Sequence, residues 1–164
     1  MQTIELQKVA SQVRRDILRQ VHGCQSGHPG GSLGCTDLLV ELYFNSMTLK
    51  TDASGKVVFQ MDGLNEDVFF LSNGHISPLL YSVLARRGYF PVAELASFRK
   101  LNTRLQGHPT PHEHLEGIRI ASGSLGQGLS VAIGVAQAKK LNGDSSIVYC
   151  LMGDGEQNEG QVWE

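Results

Sequence analysis

The sequence has little cysteine, no excess of either charge and no long hydrophobic run. Its three cysteines, Cys24, Cys35 and Cys150, form no Cys-x-x-Cys pair and leave one over, so neither a disulfide framework nor a zinc ribbon is indicated and we expect reduced thiols. A net charge of −2 gives no basic surface of the kind that binds nucleic acid or an anionic membrane. No run of about 18 apolar residues exists, so no transmembrane helix is predicted.

What the chain does have is the composition of an ordinary globular domain. Its 164 residues, 41% of them hydrophobic, are enough for one domain with a real core. The first twenty residues alternate charged and apolar positions and do not resemble a signal peptide, so a cytoplasmic location is expected. Strand and helix patterns alternate without a repeat or a low-complexity linker, which predicts the α/β class with crossover helices.

Periodicity and turn residues predict the individual elements. Apolar residues recur at helical spacing from Ile4 to Val21, which indicates an amphipathic helix between a cap at Thr3 and Gly23. A glycine-rich turn follows this helix. The further expected elements are a second helix capped by Thr36, an irregular surface segment over 45–65, a strand over 67–72, helices over 77–87 and 91–100, a helix ending at Lys140, and a buried strand over 147–152.

The last predicted strand delivers an acidic residue to a ligand-binding position. Asp154 stands between two glycines just after the strand, and open α/β sheets bind ligands at the carboxyl ends of their strands. Mg²⁺ takes only one or two protein carboxylates plus phosphate oxygens, so Asp154 suits a metal-diphosphate site. Gly155 would let its backbone N–H approach a phosphate without a Cβ in the way. We expect these 164 residues to hold only part of such a site.

Three Gly-His pairs, Gly27-His28, Gly74-His75 and Gly107-His108, all fall in turns beside regular elements. A single loop histidine is most simply a surface or capping residue. Three in the same setting favour binding, because imidazoles there can hydrogen-bond phosphate or sugar hydroxyls, or move protons near neutral pH.

Two further patterns leave alternatives open. His112-Glu113-His114 has two metal-binding side chains, but no third and fourth ligands stand at a known spacing. The glycine run over 121–128 precedes a helix and could present N–H groups to an anion, or serve tight packing of helix on sheet. It matches neither the dinucleotide-binding nor the Walker pattern.

Five motifs together resemble, in order, the cofactor domain of transketolases. They are Ser26-Gly-His-Pro-Gly-Gly31, Phe70-Leu-Ser-Asn-Gly-His75, Gln106-Gly-His-Pro109, Gly123-Ser-Leu-Gly-Gln-Gly128 and Gly153-Asp-Gly155. The similarity extends over essentially the whole chain. It is strongest to the split form, in which an N-terminal subunit carries the diphosphate-binding domain and another chain supplies the rest.

The resemblance implies a fold and an activity. The fold would be the three-layer thiamine diphosphate-binding α/β fold with a mostly parallel sheet, incomplete at its C-terminal end, and residues 1–164 would be the N-terminal portion of that domain. The activity would be transfer of a two-carbon ketol unit from a ketose to an aldose sugar phosphate, as in the pentose phosphate pathway, with thiamine diphosphate and Mg²⁺ (or Ca²⁺). The chain would act with a C-terminal transketolase subunit, in a homo-oligomer or heterotetramer.

The resemblance also implies roles for single residues. Asp154 would ligate the metal, while His28 and His108 would be catalytic, facing the donor hydroxyls and the developing oxyanion as protonated imidazoles. The residues assigned to the cofactor are His75, Gly123, Ser124, Leu125, Gly155 and Glu159. Glu159 and Glu164 match positions at the family's subunit interface. The chain departs from the family pattern at Asn158, where glutamine is usual.

Two other functions compete with this interpretation. One is a truncated, non-catalytic fragment or assembly remnant that binds no cofactor. The other is a related ketol-transfer enzyme such as a deoxyxylulose phosphate synthase, although the Gly-His-Pro motifs fit transketolases better. The family's second metal-binding stretch, its activating glutamate and its phosphate-binding arginines are not among these residues, so we expect the isolated chain to be inactive.

Overall fold

Helices surround a two-stranded parallel sheet in the computed structural model, which describes all of residues 1–164. The regular elements are α1 (Thr3–Cys24), α2 (Pro29–Gly34), α3 (Thr36–Glu41), β1 (Val68–Leu71), α4 (Ser77–Arg87), α5 (Gln127–Leu141), β2 (Val148–Leu151) and α6 (Gly160–Trp163). A π-helical turn, Leu42–Ser46, extends α3, and 3-10 turns cover Gly74–Ile76, Val92–Ser97, Pro111–Glu113 and Gly155–Asn158. The α/β class expected from the sequence is confirmed.

The sheet sets the position of the candidate site. β1 and β2 pair in parallel, with Val68 opposite Val148 and Leu71 opposite Leu151. Both strands therefore end at the same edge, as the sequence predicted, and each is one residue shorter at either end than the expected 67–72 and 147–152. All of β1 is buried and β2 is half-buried.

The core lies between the long helices and β1. Val13 and Ile17 on α1 are fully buried and belong to the same cluster as Leu79 and Leu84 on α4, whose predicted bounds of 77–87 are correct. A partly buried ion pair fixes this contact: the buried Asp16 carboxylate accepts hydrogen bonds from its α4 partner, Arg86, at 2.7 and 3.1 Å. Such close helix packing holds the loops at the sheet edge on a rigid support.

A buried lysine ties the irregular segment to the sheet. The segment over 45–65 contains no strand beyond an isolated bridge, as expected. The Lys139 ammonium on α5 donates to the carbonyls of Gly63 and Glu66 at 2.6 and 3.0 Å and to the Asp144 carboxylate at 2.7 Å. The hydrogen bond from Lys139 lowers the pKa of the Asp144 carboxyl. These contacts join the starts of β1 and β2 to the end of α5.

Three local predictions are wrong. Thr36 does not cap a helix, because its hydroxyl donates to the Ser32 carbonyl at 2.9 Å and α2 has already formed within the glycine-rich turn. The Thr3 cap is replaced by a reciprocal Gln2–Glu5 capping box. The helix expected over 91–100 is only the 3-10 stretch Val92–Ser97, because Arg99 takes the left-handed conformation with φ of 56°.

Candidate active site

A buried glutamate connects the loops at the carboxyl edge of the sheet. Glu156 is 1% exposed, and its carboxylate accepts hydrogen bonds from Gly126 N at 2.9 Å and Gly153 N at 2.8 Å, and from the Ser72 hydroxyl. Ser72 directly follows β1, and Gly153 comes two residues after β2. Three separate segments are therefore fixed by one side chain.

The glycine run packs the start of α5 tightly against β1. Gly128 N donates to Ser72 Oγ at 3.1 Å, and a Cβ at Gly128 would collide with the Ser72 side chain. Because the N–H groups of Gly126 and Gly128 already have protein acceptors, they are not free for an anion. At these two positions the structure supports the packing interpretation of the run.

Two of the three predicted histidines lie side by side. His28 precedes α2, whose first residue is Pro29, and His75 lies in the turn after β1. Their ring centroids are 5.1 Å apart in an edge-to-face arrangement. The sequence separation of these residues shows that the fold, not local sequence, brings the rings together.

The third histidine joins the same cluster through the glycine run. The His108 ring lies against Gly123, where φ is 125° and any Cβ would collide with the ring. Ser122 N donates to Pro109 O at 3.2 Å, and a Cβ at Gly74 would lie 2.6 Å from the Ser122 backbone. The loops that carry His75, His108 and Gly123 thus interlock.

The environment of this cluster disfavours charge on the imidazoles. Burial lowers the pKa of His75, the neighbouring His28 lowers it further, and Glu156 acts in the opposite direction. Burial also lowers the pKa of His108, followed by the effects of Arg99, His28 and His75. Near pH 7 we therefore expect His75 and His108 to be neutral in the free chain, whereas the resemblance implied a protonated imidazole at His108.

The lowered pKa values of His75 and His108 predict how the stability of the fold changes with pH. At a pH between the lowered pKa values of the folded chain and the ordinary value near 6.5, the unfolded chain binds more protons than the folded chain. The free energy of unfolding should therefore fall as the pH drops below about 6.5. Urea unfolding at a series of pH values from 7.5 to 5.5 measures this slope, and His108→Asn should reduce it. An unchanged slope in His108→Asn would contradict the assignment.

An open, polar cleft of about 670 Å³ adjoins His108. Its volume is in the range of small-molecule sites. Hydroxyl, amide, imidazole and charged groups dominate its wall, which suits a hydroxylated substrate. The lining residues are Cys24, Ser26, Arg99, Gln106, Gly107, His108, Thr110 and Glu113.

The turn after β2 provides groups that fit a metal-diphosphate ligand. Asp154 is exposed, and its carboxylate accepts no hydrogen bond from the protein. A Cβ at Gly155 would meet no atom within 4 Å, so a phosphate could approach its backbone freely. Nearby, the buried Asn73 Oδ1 has no hydrogen-bond partner. One free carboxylate with open backbone N–H groups is what a magnesium-diphosphate unit requires from a protein.

The remaining predicted residues lie at the margins of this region. Ser124 is exposed and Leu125 half-buried within the glycine run. Glu159 is exposed, and its Cβ is 3.2 Å from where a Cβ of Gly126 would stand, which places it beside the run. Glu164 is exposed. The chain contains no cluster of three His, Cys, Asp or Glu that could hold a metal, so His112-Glu113-His114 forms no such site.

Three residues of the site were missed by the sequence analysis: Ser72, Glu156 and Arg99. The buried strand before Ser72 was recognised, but nothing local marks its hydroxyl as an acceptor for α5. Glu156 stands in a polar segment that gives no sign of burial. Arg99 follows Phe98 in a segment that was predicted to be helical.

The parallel sheet, the glycine turns at its carboxyl edge and the free Asp154 carboxylate define an α/β domain of the kind that binds a diphosphate cofactor. Comparison with known proteins identifies the family. The model of the transketolase thiamine diphosphate binding domain matches residues 5–164, and the chain belongs to this family. No helix of the structure has the length and apolar character needed to cross a membrane.

Individual relatives support the same assignment. The chain is 38% identical over 160 residues to a transketolase of Pongo abelii, covering 97% of this chain and 24% of that protein. It is 37% identical over 163 residues to the 6-deoxy-6-sulfo-D-fructose transketolase subunit SqwG of Clostridium sp. strain MSTE9, covering 99% and 56%. The transketolase structure from Campylobacter jejuni superposes with a TM-score of 0.83 at 33% identity, covering 99% and 26%. The chain thus spans about a quarter of the single-chain relatives and just over half of this subunit.

Proposed function

We propose that residues 1–164 form the N-terminal portion of the cofactor domain of a transketolase, which transfers a two-carbon ketol unit between sugar phosphates. The observation that carries this proposal is the match of the whole chain to the family, together with the histidines and glycines that meet at one sheet edge. Similarity to a transketolase subunit supports a split enzyme over the two alternative functions. The pathway and the cytoplasmic location expected from the sequence stay predictions.

The cofactor is assigned to the groups at the sheet edge that have no hydrogen-bond partner within the protein, together with the residues beside them. Thiamine diphosphate, when bound, supplies the carbanion-stabilising centre that this chemistry needs. We propose that Asp154 holds Mg²⁺ (or Ca²⁺), and that Gly155 and His75 contact the diphosphate. Gly123, Ser124 and Leu125 would line the rings of the cofactor, with Glu159 beside them.

His28 and His108 are proposed to act on the substrate. His108 lines the polar cleft and His28 lies beside His75, so both imidazoles can reach a ligand that bridges the cleft and the sheet edge. A neutral imidazole can donate a hydrogen bond from one nitrogen and accept one at the other, which suits sugar hydroxyls. The same ring can move a proton as charge develops on a substrate oxygen.

A partner chain is proposed because apolar side chains are exposed next to the site. Ile133 on α5 is 54% exposed and Trp163 on α6 is 79% exposed. Exposed apolar side chains of this size are candidates for a protein interface. We propose that a second copy of this chain covers them in a homo-oligomer, or that a second copy and a C-terminal transketolase subunit cover them in a heterotetramer.

Reconstitution tests the function directly. The chain would be assayed for transfer from a ketose phosphate to an aldose phosphate, alone and with a C-terminal transketolase subunit, in the presence of thiamine diphosphate and Mg²⁺. We expect no transfer by the chain alone and transfer by the mixture or by the complete gene product. Transfer by the chain alone would contradict the split-enzyme proposal. Neither cofactor binding nor transfer in any mixture would favour the non-catalytic remnant, and transfer only from pyruvate would favour the synthase.

A further inference from the structure

Arg99 connects the two loops that carry the proposed catalytic histidines. Its Nη1 donates to Ser26 Oγ at 2.8 Å, across 73 positions of sequence. Ser26 stands two residues before His28. The backbone N of Arg99 donates to Leu105 O at 2.9 Å, which closes the turn leading to His108.

The guanidinium also packs against the residue before His108. A Cβ at Gly107 would lie 2.8 Å from Arg99 Cζ, Nε and Nη2, so only glycine allows this approach. Arg99 Cζ is also 5.6 Å from the centroid of the Phe98 ring. The side chain is therefore packed against both an aromatic ring and a glycine backbone.

Arg99 occupies this position at an energetic cost. Its backbone is left-handed, with φ of 56°, and its buried Nε has no hydrogen-bond partner. Arg86 and Arg104 each pair with a carboxylate, but Arg99 makes no ion pair. Its guanidinium lies at the wall of the cleft. Local strain and an unpaired donor are typical of functional sites.

We propose that Arg99 is a positioning residue, which clamps the Ser26 and Gly107 loops so that His28 and His108 keep a fixed relative position beside the cleft. This inference rests on the proposed roles of the two histidines. Arginine suits the task because its planar fork can hydrogen-bond one loop while its face packs on the other, which a lysine ammonium cannot do. The lowered pKa of His108, to which Arg99 contributes after burial, agrees with this proximity.

The first test needs neither cofactor nor partner. NMR titration of the imidazole signals would compare the wild-type chain with Arg99→Met, Arg99→Lys and, as a matched control, Arg15→Met on the exposed side of α1. We expect the pKa of His108 to rise in Arg99→Met, because the positive charge is removed, and to stay low in Arg99→Lys and Arg15→Met. Circular dichroism would establish that each variant is folded. An unchanged His108 titration in folded Arg99→Met would overturn the proposal, whatever the activity.

The second test separates the clamp from the charge in the assembled enzyme. We expect Arg99→Met and Arg99→Lys both to lower kcat about tenfold to a hundredfold with cofactor affinity nearly unchanged. Ser26→Ala retains the arginine but removes its acceptor, so it should lower kcat severalfold and make Arg99→Met less costly in the double variant. A raised KM for the sugar phosphate with normal kcat would overturn the positioning role and make Arg99 a direct substrate contact. If wild-type mixtures show no transfer, the function proposal fails, while an unchanged His108 titration in folded Arg99→Met would still overturn the clamp.

Discussion

Glu156→Ala is expected to lower the free energy of unfolding by about 3–5 kcal/mol, a large part of the stability of a domain this size. The carboxylate is buried and accepts from three donors, the N–H groups of Gly126 and Gly153 and the hydroxyl of Ser72. A buried donor left without an acceptor costs about 1–3 kcal/mol, and the removed side chain also leaves a cavity. Because the three donors belong to three segments, the loss should separate the glycine run from the turn after β2.

Urea unfolding of two matched variants would check this result. Glu156→Gln keeps the shape but turns an NH₂ group toward one of the three donors, so its loss should be intermediate. Glu116→Ala removes a carboxylate that is 45% exposed and pairs with Arg104, and it should cost no more than about 1 kcal/mol. A loss in Glu156→Ala as small as that in Glu116→Ala would show that water replaces the carboxylate.

The sequence predicted the elements whose signals are local. The apolar runs before Ser72 and Gly153 define two short strands, and the chain order predicts a parallel pair ending at one edge. Only β1 is buried as expected, since β2 is half-buried. Helix periodicity located α1, and turn residues located α4 with correct bounds. Because those strands and helices determine where the loops end, the sequence also indicated that Asp154 and the glycine run belong to one edge.

Features that depend on distant partners could not be predicted in this way. Glu156 and Ser72 are 84 positions apart, and Lys139 reaches a carbonyl 76 positions away. In the sequence, a polar residue that becomes buried cannot be distinguished from one that stays on the surface. The difference depends on its partners in the folded chain. The same holds for Arg99, whose left-handed backbone ends a segment with helical composition. The functional roles of His28, His75 and His108 likewise stay predictions, although their rings share one region.

Asp154→Ala is expected to weaken binding of Mg²⁺-thiamine diphosphate by the assembled enzyme about a hundredfold, with little loss of folding stability. Asp154 and Glu156 are two residues apart, but their carboxylates differ in exposure and in hydrogen bonding. Asp154 is exposed and its carboxylate accepts no hydrogen bond, so the folded chain gains nothing from it. An exposed carboxylate beside a bound diphosphate would instead supply one of the few protein oxygens that Mg²⁺ takes.

Calorimetric titration with thiamine diphosphate at fixed Mg²⁺ concentration would measure the affinity, alongside urea unfolding of the free chain. Asp154→Asn retains one oxygen ligand without the charge and should lie between wild type and Asp154→Ala. Asp62→Ala, at an exposed position in the segment before β1, is the matched control and should leave the affinity unchanged. If Asp154→Ala binds the cofactor as the wild type does, Asp154 is a turn residue and the metal must be held elsewhere. If instead Asp154→Ala unfolds as easily as Glu156→Ala, the Asp154 carboxylate stabilises the turn itself. Asp154 would then be a structural residue like Glu156 and not a metal ligand.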